Sequence, residues 1–214
     1  MTVEGLLPGA SNTTLLARDD RGRPWVYKPA QGERPLWDFP HGTLADREVA
    51  FYRLGRALGL DVVPETVPAA GPYGPGSAQR YLDEDLSWDP RPMIIEATPS
   101  LWPIVVLDLI ANNADRKIGH LLKEPGHGPV WAIDNGLTFH PDDKLRTVLW
   151  SFAGAEIPRE LLERANAGSV RDALTDVLSP AEVNATVDRL HALLAEPIHP
   201  LPPDDRPPMP WPLW

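Results

Sequence analysis

Asn112-Asn113-Ala114-Asp115-Arg116-Lys117-Ile118-Gly119-His120 is the stretch on which the reading of this chain turns. It follows residues 101–111, an apolar run of buried-helix length that Ser100 is placed to cap. A loop so polar, set against so apolar a helix, carries more than a connection needs; an Asn-rich helix end and turn is the plain alternative. Further along, the apolar run 130–133 ends at Asp134-Asn135-Gly136. A carboxylate presented at a strand end is a common partner for a hard cation. An Asx-turn into a loop is the other reading. Asp115 and Asp134 lie nineteen positions apart. That spacing allows a loop and a short hairpin between them, and would bring both carboxylates to one cleft floor.

Upstream, two short strands are predicted, 15–17 and 25–28, joined by the turn 18–22. They are preceded by the small-residue loop Gly9-Ala10-Ser11-Asn12-Thr13-Thr14, whose backbone N–H groups could point at phosphate oxygens. No Gly-Lys-Ser/Thr follows, so it is not a Walker loop, and alone it also reads as an ordinary hairpin turn. Lys28 sits in the half-buried run Trp25-Val26-Tyr27, where an ammonium is costly unless it meets an anion or turns to water at an edge. Residues 31–42 read as an irregular loop. A helix follows, started by a Thr43/Asp46 capping box, lined by Phe51, Leu54 and Leu58, and ended by Gly59. It carries Glu48, a natural partner for Lys28. Strand character resumes over 61–64 and 66–67, a tight loop covers 72–77, and residues 79–82 form a further short strand.

Downstream of Asp134 the pattern is helical, over 158–167 and 170–178. Ser179-Pro180-Ala181-Glu182 is a strong helix start, with a cap, Pro at the first position and Glu at the third. Val183, Val187, Leu190 and Leu194 then form a core stripe. The last 18 positions hold eight of the chain's 26 prolines and end in Met209-Pro210-Trp211-Pro212-Leu213-Trp214. Such a proline-fixed aromatic segment costs little entropy to order, on its own domain or on a protein partner.

With 214 residues, the chain has the length for one domain or a small two-lobed one. Its formal net charge of −10 argues against nucleic acid and against stable association with an anionic membrane. The absence of cysteine removes thiol nucleophiles, disulfides and Cys-based zinc sites, and fits the cytoplasm. The N-terminus has no basic start or long apolar run, so no signal peptide is expected. The expected organisation is α+β: a small β-rich lobe with one helix over 1–85, a mostly helical lobe over 86–196, and the Pro/Trp-rich tail over 197–214.

Taken together, a small-residue loop, a strand lysine, a helix glutamate, an aspartate loop after a buried helix and a strand-end aspartate recur in this order in protein-kinase-like enzymes. His-Arg-Asp and Asp-Phe-Gly are absent. The chain resembles the atypical branch that holds phosphatidylinositol 3-/4-kinases and HipA-like kinases, whose motifs run Asp-Arg-His-x-x-Asn and Ile-Asp-x-Gly. More closely it resembles a family of short, actinobacterial-type proteins described as phosphatidylinositol kinase-like. The segments SNTTLL, VYKP, GERPLWDFP, NNADRK-x-GH, IDNGLTFH and KLRTVLW carry the resemblance, over residues 5–195.

The resemblance implies a two-lobed protein-kinase-like fold and an ATP-dependent phosphotransferase that uses Mg²⁺ or Mn²⁺. Asp115 would orient or deprotonate the acceptor hydroxyl, with Asn113 beside it in the catalytic loop. Asp134 would hold metal, and Lys28, paired with Glu48, would touch the α/β-phosphates. Ser11, Asn12 and Thr13 would cover the phosphates, and the backbone of Gln79, Arg80, Tyr81 and Leu82 would receive adenine. Two positions depart from the pattern. His120 stands where the lipid kinases have a metal-binding Asn, and imidazole prefers softer ions than Mg²⁺. Lys117 stands where the branch usually has His. A protein Ser/Thr or a soluble metabolite is expected as acceptor ahead of a lipid, because no basic amphipathic helix is present. Lys144 and Arg146 could meet an acidic acceptor, or form a solvated turn. The alternatives are a nucleotide-binding pseudokinase with a regulatory role, and nucleotidyl transfer on the same fold.

Overall fold

A computed structural model describes residues 1–8 and 12–214; Ser11 lies outside the described residues. The first half builds one antiparallel sheet from β1 (Thr2–Leu6), β2 (Leu15–Arg18), β3 (Pro24–Pro29), β4 (Thr66–Gly71) and β5 (Gly74–Arg80). Its order is β1-β2-β3-β5-β4. β1 is an addition to the strands read from the sequence, where its Gly5 and mixed polarity hid it. β5 is a correction: its first residues fall in the stretch 72–77 expected to be a loop. The pair Pro75-Gly76 hid the strand. A Cβ on Gly76 would stand 2.2 Å from the Lys28 carbonyl oxygen, so a strand crossing β3 this closely requires glycine there. Residues 61–64, expected as strand, are irregular, although the Val62 carbonyl accepts a bond from Ala132 N–H (2.8 Å).

Helix α1 (Leu44–Leu58) ends at Gly59 in a left-handed conformation (φ 71°), as the glycine indicates. Its expected capping box does not form. The Thr43 hydroxyl donates to the Pro40 carbonyl instead (2.7 Å), and the Ala45 N–H is taken by Glu33 Oε1 (3.1 Å) from the preceding loop. A long-range carboxylate has thus replaced the local cap. Phe51, Leu54 and Leu58 of α1 pack into the same core as α3 (Trp102–Ala111) and α5 (Pro180–Ala195). The sheet keeps only a small core of its own around Leu15, Ala17 and Tyr27. The helix of the β-rich part is therefore seated on the helical part. A buried Arg47–Glu182 ion pair reinforces the contact between α1 and α5.

A short helix α2 (Arg91–Ile95) precedes α3. No side-chain cap from Ser100 forms on α3, which starts from a 3-10 turn at Pro99–Leu101. Strands β6 (Leu121–Leu122) and β7 (Trp131–Ala132) form the small hairpin between the two aspartates. Of the helices expected next, 158–167 contains only a 3-10 turn, Arg159–Leu161, and the following one is α4 (Ala167–Leu174). Helix α5 starts with the Ser179/Glu182 capping box read from the sequence. Its stripe is corrected by one position: Val183, Val187, Leu190 and Leu193 are buried, and Leu194 is exposed. The tail lies on the chain's own surface. Pro208 O accepts from Thr147 N–H (3.1 Å) and Trp150 Nε1–H (2.8 Å), and Leu213 O accepts from Ile118 N–H (2.9 Å). No helix among the described residues is long and apolar enough to cross a membrane.

Candidate active site

The loop after α3 is held by a buried ionic network. Asp108 lies inside the apolar helix, where an unpaired carboxylate would be very costly. It accepts from Arg116 Nε and Nη2, both at 2.8 Å, and from Asn113 Nδ2 at 2.8 Å. Arg116 has no exposed surface, and its other donors reach Ile133 O (2.9 Å) and Asn135 Oδ1 (2.6 Å). One guanidinium thus fastens the 112–120 loop to the end of β7. Asn113 Oδ1 accepts the Asp115 N–H (2.9 Å), so Asn113 faces inward and orients the Asp115 backbone.

Above this frame, Lys28 reaches from β3 between two carboxylates. It contacts Glu48 Oε1 and lies 2.8 Å from Asp134 Oδ1. Glu48 Oε2 accepts the Asn135 N–H (3.0 Å), which ties α1 to the strand-end aspartate. Burial works against the Lys28 ammonium, but Asp134 and Glu48 outweigh it and raise its pKa above the ordinary value. The same ammonium, ahead of the opposing effect of burial, holds Asp134 well below the usual carboxylate range. Asp134 has a left-handed backbone (φ 54°) and a side chain 54% exposed to the cleft.

Asp115 stands opposite. Burial raises its carboxyl, while the Lys117 ammonium, 3.1 Å away, pulls it down; the net direction is upward. A carboxylate with a raised pKa, half-buried in a cleft, suits proton acceptance.

His120 is buried, with Nε2 3.3 Å from Asp134 Oδ2. Its Nδ1 accepts the Lys117 N–H (3.4 Å), which leaves Nε2 as the protonated nitrogen facing Asp134. Burial first, then the cations Arg116, Lys117 and Lys28, lower its pKa to about 4 against the pull of Asp134. Unfolded, the imidazole takes its proton near pH 6.5. Its contribution to stability is therefore complete above pH 6.5 and is lost as the pH falls toward 4. Relative to His120→Asn, the parent should lose about 1–2 kcal/mol more between pH 7 and pH 5. Urea unfolding of both at the two pH values checks this; parallel losses would mean that His120 protonates as readily folded as unfolded.

Two cavities meet at Lys28 and Asp134. The smaller, about 210 Å³, is lined among others by Asn12, Thr13, Glu33 and Asp115. The larger, about 510 Å³, runs under Val26 to Gln79, Arg80, Tyr81 and Leu82. Thr13 packs so tightly on Gly32 that a Cβ there would lie 2.4 Å from the Thr13 Cβ. Asn12 Oδ1 accepts the Arg34 N–H (2.9 Å). The side chain of Gln79 turns away to Thr66 (2.9 Å), and Arg80 pairs with Glu124 (3.0 Å), so these positions offer mainly backbone to the cavity. Lys144 pairs with Asp38 (3.4 Å) and lies over the Trp37 ring, and Arg146 Nε bonds Ala114 O (2.9 Å). Both basic side chains are thus engaged within the chain. The residues that sequence reasoning passed over are Asp108, Arg116 and Asn135. A charge inside an apolar helix was the available signal for Asp108.

No family model matches the chain. Among curated proteins, Protein Rv2133c of Mycobacterium tuberculosis is 35% identical over an alignment of 256 residues, which covers 99% of this chain and 91% of that protein. Its source fits the actinobacterial-type family that the sequence resembles. Among solved structures, the Helicobacter pylori proinflammatory kinase CtkA matches with a TM-score of 0.61 at 13% identity, over 92% of each chain. The Golgi casein kinase with Mn/ADP bound matches with a TM-score of 0.59 at 13% identity, over 91% of this chain and 72% of that one. Hydra Fam20 gives 0.58 at 14% identity, over 91% and 84%. These likenesses establish the two-lobed kinase-like fold. The chain belongs to the family of the mycobacterial Protein Rv2133c and carries the fold of the atypical kinases.

Proposed function

We propose that this protein is an ATP- and divalent-metal-dependent kinase of the atypical, PI3/4-kinase-like type. It moves the γ-phosphoryl group to a hydroxyl of a protein Ser/Thr or a soluble metabolite. The observation that carries the reading is the convergence of Lys28, Glu48, Asp134 and Asp115 where the two cavities meet. In this reading residues 1–85 cover the nucleotide, 86–196 supply the catalytic loop, and the larger cavity takes the nucleotide.

The residues fit a hard cation. Asp134 offers oxygen to the cleft, and Mg²⁺ commonly takes one or two carboxylates and completes its shell with water and substrate phosphates. Among the described residues, no group of three or more acidic or His side chains could hold a metal alone, so phosphate oxygens would complete the site. Asp134 would hold the ion, with His120 Nε2 at its other oxygen; when bound, the metal would neutralise phosphate charge. Lys28, aimed by Glu48, would move from Asp134 to the α/β-phosphates. Asn12 and Thr13 would cover the phosphates, as would Ser11. Asp115 would take the proton of the acceptor hydroxyl as its oxygen bonds to the γ-phosphorus. The bond from that phosphorus to the β–γ bridging oxygen would break, and ADP would leave.

The test is a titration with ATP in the presence and absence of Mg²⁺ or Mn²⁺. The parent should bind ATP more tightly with metal, and Asp134→Ala should lose that increment. An unchanged metal dependence in the variant would remove Asp134 from the site. The product mass separates phosphoryl from nucleotidyl transfer, because phosphate adds far less than AMP. His120 supports a second reading. Its donor nitrogen holds the carboxylate meant for metal, which suits a nucleotide-binding pseudokinase. No turnover with either metal across a broad acceptor panel, with ATP binding intact, would select it.

A further inference from the structure

The tail crosses the molecule and ends at the larger cavity. It is pinned at Pro208, through Thr147 and Trp150, and again at Leu213, whose carbonyl accepts the Ile118 N–H (2.9 Å). Ile118 is two residues from His120, so the second anchor lies on the candidate catalytic loop. Beyond it, Pro212 and Trp214 line the cavity that also holds Gln79–Leu82, Val26 and Ile133. Trp214 rests against Gly119: a Cβ on that glycine would lie 3.4 Å from Trp214 Cε3. The Arg91 guanidinium stands 6.0 Å from the ring.

We infer that Trp214 forms part of the nucleotide-binding wall, giving the base of the nucleotide an aromatic surface. The inference rests on the nucleotide reading above and adds to it a residue from the tail. Three observations carry it. The cavity keeps about 510 Å³ with the tail in place, within the range of small-molecule sites, so the tail lines the space and does not fill it. Trp214 is 61% exposed although the tail before it is pinned at Pro208 and Leu213, so its aromatic ring is presented to a cavity that half-buried Val26 and Ile133 also line. The prolines around it restrict the segment, so little entropy is lost when a ligand settles on the ring.

The test uses the full chain and two probes, ATP with Mg²⁺ and tripolyphosphate with Mg²⁺, titrated calorimetrically. Trp214→Ala should bind ATP roughly 5- to 100-fold more weakly, the usual effect of removing an aromatic ring from a stacked base. Trp214→Phe should stay within about threefold of the parent. Tripolyphosphate, which has no base, should bind parent and Trp214→Ala alike, and Trp211→Ala should match the parent with both probes. Equal ATP affinity in Trp214→Ala would overturn the inference while leaving the nucleotide reading intact. Tighter ATP binding would also overturn it, by making the tail a plug. An equal loss for tripolyphosphate would overturn it too, since the effect would then come through the fold. A parent that binds neither probe would refute the nucleotide reading itself, and this inference with it.

Discussion

Asp115→Asn is expected to bind ATP about as tightly as the parent and to transfer phosphate at least ~100-fold more slowly. General-base and positioning contributions together commonly supply that much. The variant is nearly isosteric, and the Asp115 N–H keeps its bond to Asn113 Oδ1 (2.9 Å), so the loop should retain its shape. On the proposed function the variant loses the acceptor for the hydroxyl proton, along with the charge that pairs with Lys117 (3.1 Å). The carboxylate stands on the wall of the smaller cavity, away from the residues that would hold the base, which is why binding and turnover should separate. The measurement is phosphoryl transfer to water or to the protein's own Ser/Thr, set beside an ATP titration. Equal turnover in variant and parent would take Asp115 out of the chemistry. A matching loss of ATP affinity would give it a binding role instead.

Arg116→Met should be the most destabilising of the substitutions considered. It removes the partner of a carboxylate buried in an apolar helix, and breaking such a pair costs about 3–5 kcal/mol. For a chain of this size that corresponds to a fall in Tm of about 10 °C. The double variant Asp108→Leu/Arg116→Met should recover part of the loss, because an apolar pair needs no compensating charge. Recovery would be incomplete, since Ile133 O and Asn135 Oδ1 would still lack their donor. Thermal unfolding of the two variants checks both statements. A single variant within about 1 kcal/mol of the parent would mean that Asp108 finds its proton or another partner at little cost.

Local chemistry was legible where it is self-contained. The strands 15–17 and 25–28, the termination of α1 at Gly59 and the start of α5 at Ser179-Pro180-Ala181-Glu182 each depend on neighbours within a few positions. So does the presentation of Asp134 at the end of a short strand, which needs only an apolar run and a turn. The order of small-residue loop, lysine, glutamate and two aspartates, together with the family resemblance that the motifs carry, anticipated the kinase-like fold.

Tertiary structure decided what depends on residues far apart in the chain. The cap of α1 comes from Glu33, twelve positions before the N–H it satisfies, so the local Thr43/Asp46 signal lost to a stronger acceptor. β5 passes through Pro75-Gly76 because β3 approaches too closely for any Cβ at residue 76, a fact that exists only once the two strands are paired. Arg116 looks like one more polar loop residue until Asp108, Ile133 and Asn135 surround it. Trp214 becomes a cavity wall only because Leu213 meets Ile118, ninety-five positions away. The sequence by itself named the candidate residues and, for Lys28, Glu48 and Asp134, the kind of element that bears or presents each one. Which of them share a cleft was decided by the packing of the α1–α3–α5 core and by buried charges that fold only with their partners, since the energy of both exists only between distant segments.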